Sequence, residues 1–156
     1  MRWFVCPGII IASAWFAGFA QQPVDFPHNK HVAVGIECID CHTGVETRAA
    51  AGIPSVRKCM LCHATIATDK PGVKTLRQYS DQKREIPWVR VYGFESVADV
   101  KFQHAPHTRA KVECKTCHGD VQNMGVAQRA VKHNMGSCLT CHRQKNATVE
   151  CVACHF

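Results

Sequence analysis

The segment Cys38-Ile39-Asp40-Cys41-His42 places two cysteines three positions apart and a histidine directly after the second. The same Cys-x-x-Cys-His spacing occurs five times in the 156 residues, at Cys38–His42, Cys59–His63, Cys114–His118, Cys138–His142 and Cys151–His155. This spacing is the attachment signature of haem c, in which two thiols form thioethers with the porphyrin vinyl groups and the adjacent imidazole binds the iron. The sequence therefore predicts five covalently attached haems.

Each predicted haem takes two thiols and one proximal histidine from its own motif. The thiols are Cys38, Cys41, Cys59, Cys62, Cys114, Cys117, Cys138, Cys141, Cys151 and Cys154. The proximal ligands are His42, His63, His118, His142 and His155.

Other uses of paired cysteines fit this chain less well. A zinc ribbon takes two Cys-x-x-Cys pairs per metal and does not need a histidine after every second cysteine. A thioredoxin-like site takes one such pair in a βαβ context, and a disulfide framework does not explain the trailing histidines. Cys6 lies outside the motifs in an apolar leader, where we expect it to act as a small hydrophobic residue.

Five further histidines lie outside the motifs, and five is the number needed to bind the distal side of every iron. They are His28, His31, His104, His107 and His133. Four of them form His-x-x-His pairs, a spacing that places both rings on one side of a helical turn. The count therefore predicts bis-histidine, low-spin haems, and binding of a stray metal by these pairs is the less favoured alternative.

His133 is the least certain of the expected distal ligands because two methionines lie in the same stretch. Met135 and Met124 could each supply a thioether to the fifth iron, which would raise the potential of that haem. We favour His133, since a methionine more often fills space against a porphyrin face.

An internal repeat organises the chain. Phe26-x-His28-x-x-His31, followed six residues later by Cys38–His42, recurs with identical spacing at Phe102-x-His104-x-x-His107 and Cys114–His118. Such similarity predicts duplication of a structural unit. We expect a single pentahaem domain over 21–156, divided into a first dihaem unit (21–63), a connector (64–101), a second dihaem unit (102–142) and a fifth haem (143–156).

The length of the chain limits the fold. If residues 1–20 are a leader, roughly 27 residues remain per haem, too few for a core independent of the cofactors. We therefore expect a mainly α fold with extensive irregular structure, built around the porphyrins. Residues 24–26, 88–92 and 100–102 alternate apolar and polar side chains, so at most a small two-stranded ribbon is expected.

The formal net charge of +7 does not predict nucleic-acid binding. Ten propionates and five ferric centres would bring the holoprotein to about +2 when oxidised and about −3 when reduced, so the lysines and arginines are expected to pair with propionates or face solvent. No basic run interleaved with aromatic residues is present.

Residues 3–20 carry no charge and follow Arg2. The stretch is longer than a typical signal h-region of ~7–15 residues and close to the ~20 residues of a membrane helix. Gly18 and Ala20 are small residues at the positions that a cut after Ala20 requires. We expect residues 1–20 to be an export signal or an N-terminal membrane anchor, with the haem domain in the periplasm.

Four segments resemble a known family. They are Ala49–Ser55 leading into Cys59–His63, Ile86–Val91, Phe102–His107 and Met135–Cys138. The chain resembles the pentahaem cytochrome c subunit of alternative complex III and, more loosely, the small class III multihaem cytochromes related to cytochrome c3. The class III resemblance implies that His28 and His104 bind the haems of the motifs that follow them, while His31 and His107 reach haems of other motifs.

The resemblance also implies a function. It predicts an electron-transfer protein that takes electrons from a quinol-oxidising membrane complex and passes them through five haems to a periplasmic acceptor, with redox proteins as partners and no small-molecule substrate. A freely diffusing periplasmic shuttle is the alternative. A nitrite or hydroxylamine reductase is less favoured, because it needs an iron with an exchangeable face.

Overall fold

The computed structural model describes residues 21–94 and 99–156. The predicted leader falls within residues 1–20, outside the described part. The α-helices of the described residues are α1 (His28–Val32), α2 (Cys38–Cys41), α3 (Val56–His63), α4 (Pro71–Asp81), α5 (His104–Arg109), α6 (Cys114–His118) and α7 (Met135–Gln144). Two short 3-10 helices cover Val121–Asn123 and Cys151–Ala153. The expected mainly α fold with extensive irregular structure is confirmed.

The candidate ribbon does not form, since the described residues contain no strand. Backbone amides of these segments instead form hydrogen bonds with other parts of the chain. Lys101 N donates to Cys154 O at 2.8 Å, and Val89 N donates to the side chain of Gln22 at 3.0 Å. Pro87 also removes a donor next to one of these segments. An alternating pattern of three to five residues is too short to specify pairing without a partner strand in register.

Local caps start two of the helices that carry attachment motifs. Ser55 Oγ accepts from Lys58 N at 3.3 Å at the start of α3. Asn134 and Ser137 form a reciprocal capping box at the start of α7. Such caps accept hydrogen bonds from amide groups that the first turn leaves free. Each of these helices therefore begins at a defined residue, and this start fixes the direction of the thiols on the helix.

A small apolar core joins α3 to α4. Val56, Leu76 and Ile86 form its buried cluster. Glu85 Oε2 accepts from Val56 N at 2.8 Å, which ties the segment after α4 to the start of α3. The Arg77 guanidinium donates to the carbonyl oxygen of Ala64 at 3.1 Å and so holds the other end of α3. Part of the segment expected to be a connector therefore supports the second attachment motif.

Few apolar side chains are buried in the described part of the chain. The buried ones are Val56, Val73, Leu76, Ile86 and Ala105. Leu61, between the two cysteines of the second motif, is 70% exposed. This distribution fits a chain whose main apolar core is supplied by porphyrins. No helix in residues 21–94 and 99–156 has both the length and the apolar character needed to cross a bilayer.

Replacing Leu76 with alanine is expected to lower the free energy of unfolding by about 2–4 kcal/mol, because the residue is 5% exposed and packs between α3 and Ile86. Val34→Ala is the matched control, since Val34 is 75% exposed and its loss should cost less than ~0.5 kcal/mol. Denaturation of the holoprotein, followed by circular dichroism, measures both. Equal effects of the two substitutions would contradict a core at α3 and α4.

Candidate haem-binding sites

Four of the five attachment motifs lie on α-helices, and the fifth lies on the C-terminal 3-10 helix. Cys38 and Cys41 delimit α2, for example, and His42 caps its end. Thiols three residues apart share one face of a helix, so one porphyrin edge can meet both. All ten motif thiols are free, and each motif has one exposed and one partly buried thiol. The thiols therefore fit covalent attachment of haem.

Three pairs of imidazoles face each other at nearly the same separation. The ring centroids of His31 and His63 are 5.9 Å apart. Those of His104 and His118 are 6.2 Å apart, with the ring planes within 7° of parallel. Those of His107 and His142 are 6.0 Å apart. Each pair joins one histidine of a His-x-x-His segment to one proximal histidine.

These separations match the distance that a single iron between two imidazoles imposes. Ligands on opposite sides of one iron have ring centres roughly 6.2 Å apart, since each metal–nitrogen bond is ~2.0 Å long and each ring centre lies ~1.1 Å behind its nitrogen. The three pairs therefore fit bis-histidine coordination of haem.

His28 and His42 are the corresponding residues of the first repeat. They stand where His104 and His118 stand in the second repeat. Burial lowers the pKa of His28, and the nearby imidazoles of His42 and His31 lower it further. Burial likewise lowers the pKa of His118, next to His104. These shifts favour neutral imidazole, which is the form that binds a metal.

Hydrogen bonds orient most of the histidine rings. In seven of them Nδ1 donates to a backbone carbonyl, in the pairs His31–Pro27, His42–Gly52, His63–Ile66, His104–Ala49, His107–Gln103, His142–Thr148 and His155–Asp99. A carbonyl oxygen only accepts, so Nδ1 carries the proton and Nε2 keeps its lone pair. This arrangement selects the tautomer that a metal requires.

A phenylalanine holds the two histidines of each His-x-x-His segment. Phe26 stacks on His31 at 4.3 Å between ring centroids and meets His28 edge-on at 4.7 Å. Phe102 lies 4.8 Å from His107 and meets His104 edge-on at 4.9 Å. The sequence analysis included both phenylalanines only as part of the repeat. Their contacts show that they set the ring directions of the expected distal ligands.

The two repeats exchange equivalent contacts. His28 N donates to Gly125 O at 3.1 Å, and its counterpart His104 N donates to Ala49 O at 3.3 Å. In each case α1 or α5 binds the loop that follows the first motif of the other repeat. Such reciprocity is the mark of a two-fold arrangement, here an approximate one within a single chain.

Thiol contacts give the order of the attachment sites in space. Cys38 and Cys114, equivalent residues of the two repeats, are near neighbours. Cys59 lies near Cys41, and Cys117 lies near Cys138 and Cys141. Burial is the main cause that raises the pKa of the Cys38, Cys59 and Cys117 thiols, and these neighbours raise it further. The second, first, third and fourth sites therefore follow one another.

His133 and His155 have different surroundings from the other histidines. His133 Nε2 lies 2.6 Å from Cys117 O, and the His133 ring stacks on Tyr92 at 5.1 Å. It is 6.2 Å from His118, at an interplanar angle of 75°. His155 is exposed and donates to Asp99 O at 3.1 Å. The structure therefore places His133 near the third site, and it gives His155 no facing imidazole among the described ring pairs.

Tyr92 is a residue that the sequence analysis missed. Its hydroxyl donates to His118 O at 3.1 Å and accepts from Ala130 N at 2.9 Å. Its ring meets His118 edge-on at 4.7 Å. No local motif marks Tyr92, because its partners lie 26 to 39 residues away in sequence.

Outside the haem motifs, the described residues contain no cluster of His, Cys, Asp and Glu suited to a metal ion.

Comparison with known proteins identifies the class. Residues 12–87 match the class III cytochrome c family, and residues 100–156 match cytochrome c7 and related cytochromes c. These matches and the five attachment motifs indicate a multihaem c-type cytochrome involved in electron transfer. The alternative complex III subunit named by the resemblance is not among these matches.

Two proteins from Nitratidesulfovibrio vulgaris are similar in sequence over most of this chain. The multihaem cytochrome c subunit of menaquinone reductase is 27% identical over 165 residues, which span 86% of this chain and 77% of the relative. The high-molecular-weight cytochrome c is 26% identical over 164 residues, which span 86% of this chain and 29% of that protein.

Proposed function

We propose that this protein carries electrons through five covalent haems as a subunit of a quinone-linked membrane oxidoreductase, between the quinone module and a periplasmic redox protein. The imidazole pairs at 5.9–6.2 Å carry this proposal. Bound haem supplies one-electron chemistry. Two imidazoles held by backbone carbonyls and by Phe26 or Phe102 keep the same positions in both oxidation states, which keeps reorganisation small.

The order of the attachment sites supports a relay. Thiols of neighbouring motifs lie close together from the second site through the first and third to the fourth. Haems attached through neighbouring thiols would have their edges near each other. Electrons can then cross the chain by short steps, without binding a small-molecule substrate.

The name of the first relative favours a second candidate for the direction of transfer. The resemblance to alternative complex III implies flow from quinol to a periplasmic acceptor. The relative belongs to a menaquinone reductase, a name that implies flow toward the quinone. The relay can carry electrons in either direction, because the same residues would bind the irons whether electrons enter from the quinone or from the periplasmic partner.

The experiment uses the protein purified from native membranes with its partners. The reduced form of c-type haem is followed optically after a menaquinol analogue is added, and its reoxidation is followed after a menaquinone analogue is added. We expect exchange with the quinone pair only when the membrane partner is present, and the faster reaction gives the direction. Equal rates for the isolated chain would instead favour a freely diffusing shuttle.

The intact mass of the holoprotein is expected to exceed that of the polypeptide by five haems, because all five motifs have free thiols on a common face. Acid denaturation should not release them, since thioethers are covalent. Mass spectrometry after acid treatment measures both. A mass increase of four haems or fewer would contradict the pentahaem proposal.

A further inference from the structure

All ten histidines lie in the described residues, so the surroundings of every imidazole can be compared. Eight belong to the two repeats or to the second motif of each. Six of them form three pairs at 5.9–6.2 Å, and His28 and His42 stand in the first repeat where the paired His104 and His118 stand in the second. The repeat therefore supplies two distal histidines per unit, which serves four irons. His133 and His155 remain, and both lie outside the repeated pattern.

The hydrogen bond of His133 uses the ring nitrogen that the other expected distal histidines leave free. Its Nε2 donates to Cys117 O at 2.6 Å. In the other expected distal histidines with a bonded ring nitrogen, His31, His104 and His107, Nδ1 makes the bond instead. Because a carbonyl oxygen accepts only, Nε2 of His133 carries the proton and has no lone pair for a metal.

Aromatic packing holds His133 in this position. Tyr92 stacks on its ring at 5.1 Å, and the Tyr92 hydroxyl is fixed by bonds to the backbone of His118, Ala130 and Val131. The Arg129 guanidinium lies 5.7 Å from the Tyr92 ring centre. His133 therefore belongs to a set of contacts around the third motif.

His155 is exposed to solvent, whereas the other nine histidines are partly buried. Its Nδ1 donates to Asp99 O at 3.1 Å, which leaves Nε2 for iron. Met60 packs on the α3–α4 core, and the carbonyl oxygen of Met124 accepts from Asn29 N of α1. The motif around it is open, with Val152 at 74% exposure.

We propose that the iron bound by His155 has an exchangeable distal face that accepts small ligands such as carbon monoxide or imidazole, and that His133 is a positioning residue for the third attachment segment. The proposal rests on haem occupancy of all five motifs. It distinguishes the C-terminal site from the four sites with a histidine on each side. The carbonyl of Cys117, which His133 binds, lies in the same motif as the proximal ligand His118.

The test counts high-spin irons in the ferric holoprotein by electron paramagnetic resonance and titrates the reduced holoprotein with carbon monoxide. We expect about one high-spin iron and one bound carbon monoxide per chain, both in the unaltered protein and in His133→Ala. His107→Ala, the matched control, removes the partner of His142 and should raise both counts to about two. His133→Ala should also shift the potential of one low-spin haem in a redox titration.

Three results would overturn the proposal. A fully low-spin protein in which His133→Ala creates one high-spin iron would make His133 the fifth distal ligand. A sulfur-to-iron charge-transfer band that disappears in Met135→Ala would assign that face to a thioether. A potential unchanged in His133→Ala would remove its positioning role. The intact mass separates these results from failure of the five-haem proposal, because a missing fifth haem lowers the mass.

Discussion

Replacement of His104 with alanine is expected to convert one low-spin iron into a high-spin iron that binds carbon monoxide when reduced. The ring centroids of His104 and His118 lie 6.2 Å apart, the separation expected of two ligands of one iron. The substitution removes one of those ligands and leaves the thioethers in place. Electron paramagnetic resonance should show the high-spin count rise by one per chain relative to the unaltered protein.

Gln103→Ala is the matched control for this prediction. Gln103 precedes α5, and its side chain makes no capping hydrogen bond. Its backbone carbonyl, which accepts from His107 Nδ1 at 2.9 Å, is retained in the variant. The control should keep the spin state of every iron. An unchanged high-spin count in His104→Ala would mean that another group binds opposite His118, with His133 the nearest imidazole at 6.2 Å.

The double substitution Cys38→Ala and Cys41→Ala is expected to remove one haem and to interrupt the relay. Cys38 lies near Cys114 across the two repeats, and Cys41 lies near Cys59. The first site therefore stands between the second site and the second repeat. Intact mass should fall by one haem. Rapid reduction of the holoprotein should become biphasic, with a slow phase from the haem at the second site.

Cys151→Ala with Cys154→Ala provides the comparison for the relay. It also removes one haem, but the contacts among the other four motifs remain. We expect the same loss of mass and a single fast phase for the remaining haems. Slow phases of equal size in both double variants would contradict the order of sites, because the two losses would then interrupt transfer equally.

Much of the fold class was accessible from sequence because the information is local. The Cys-x-x-Cys spacing places thiols on one face of a short helix, and the structure has α-helices at four of the five motifs. The fold was expected to contain at most a small ribbon, and none forms at 88–92 and 100–102 in the described residues. Strand pairing depends on a distant partner, and the amide of Lys101 binds Cys154 O instead.

The distal histidines show what local sequence predicts and what depends on the tertiary fold. The spacing Phe-x-His-x-x-His is local and identifies four ligand candidates at His28, His31, His104 and His107. Which proximal ring each one faces depends on how distant segments meet, as with His31 and His63 or His107 and His142. The assignments remain predictions until the variants are measured, and the ring separations supply the geometry behind them.

The sequence by itself determined the attachment chemistry, the mainly helical class and the repeat, because each depends on residues close together in the chain. The tertiary structure alone decided the reciprocal contacts of His28 with Gly125 and of His104 with Ala49, which bring the two repeats together. It also decided the position of His133 against Tyr92 and Cys117. These hydrogen bonds and ring contacts form between residues that are far apart in the sequence and that only the fold brings within a few ångströms. No local spacing in the sequence encodes that proximity.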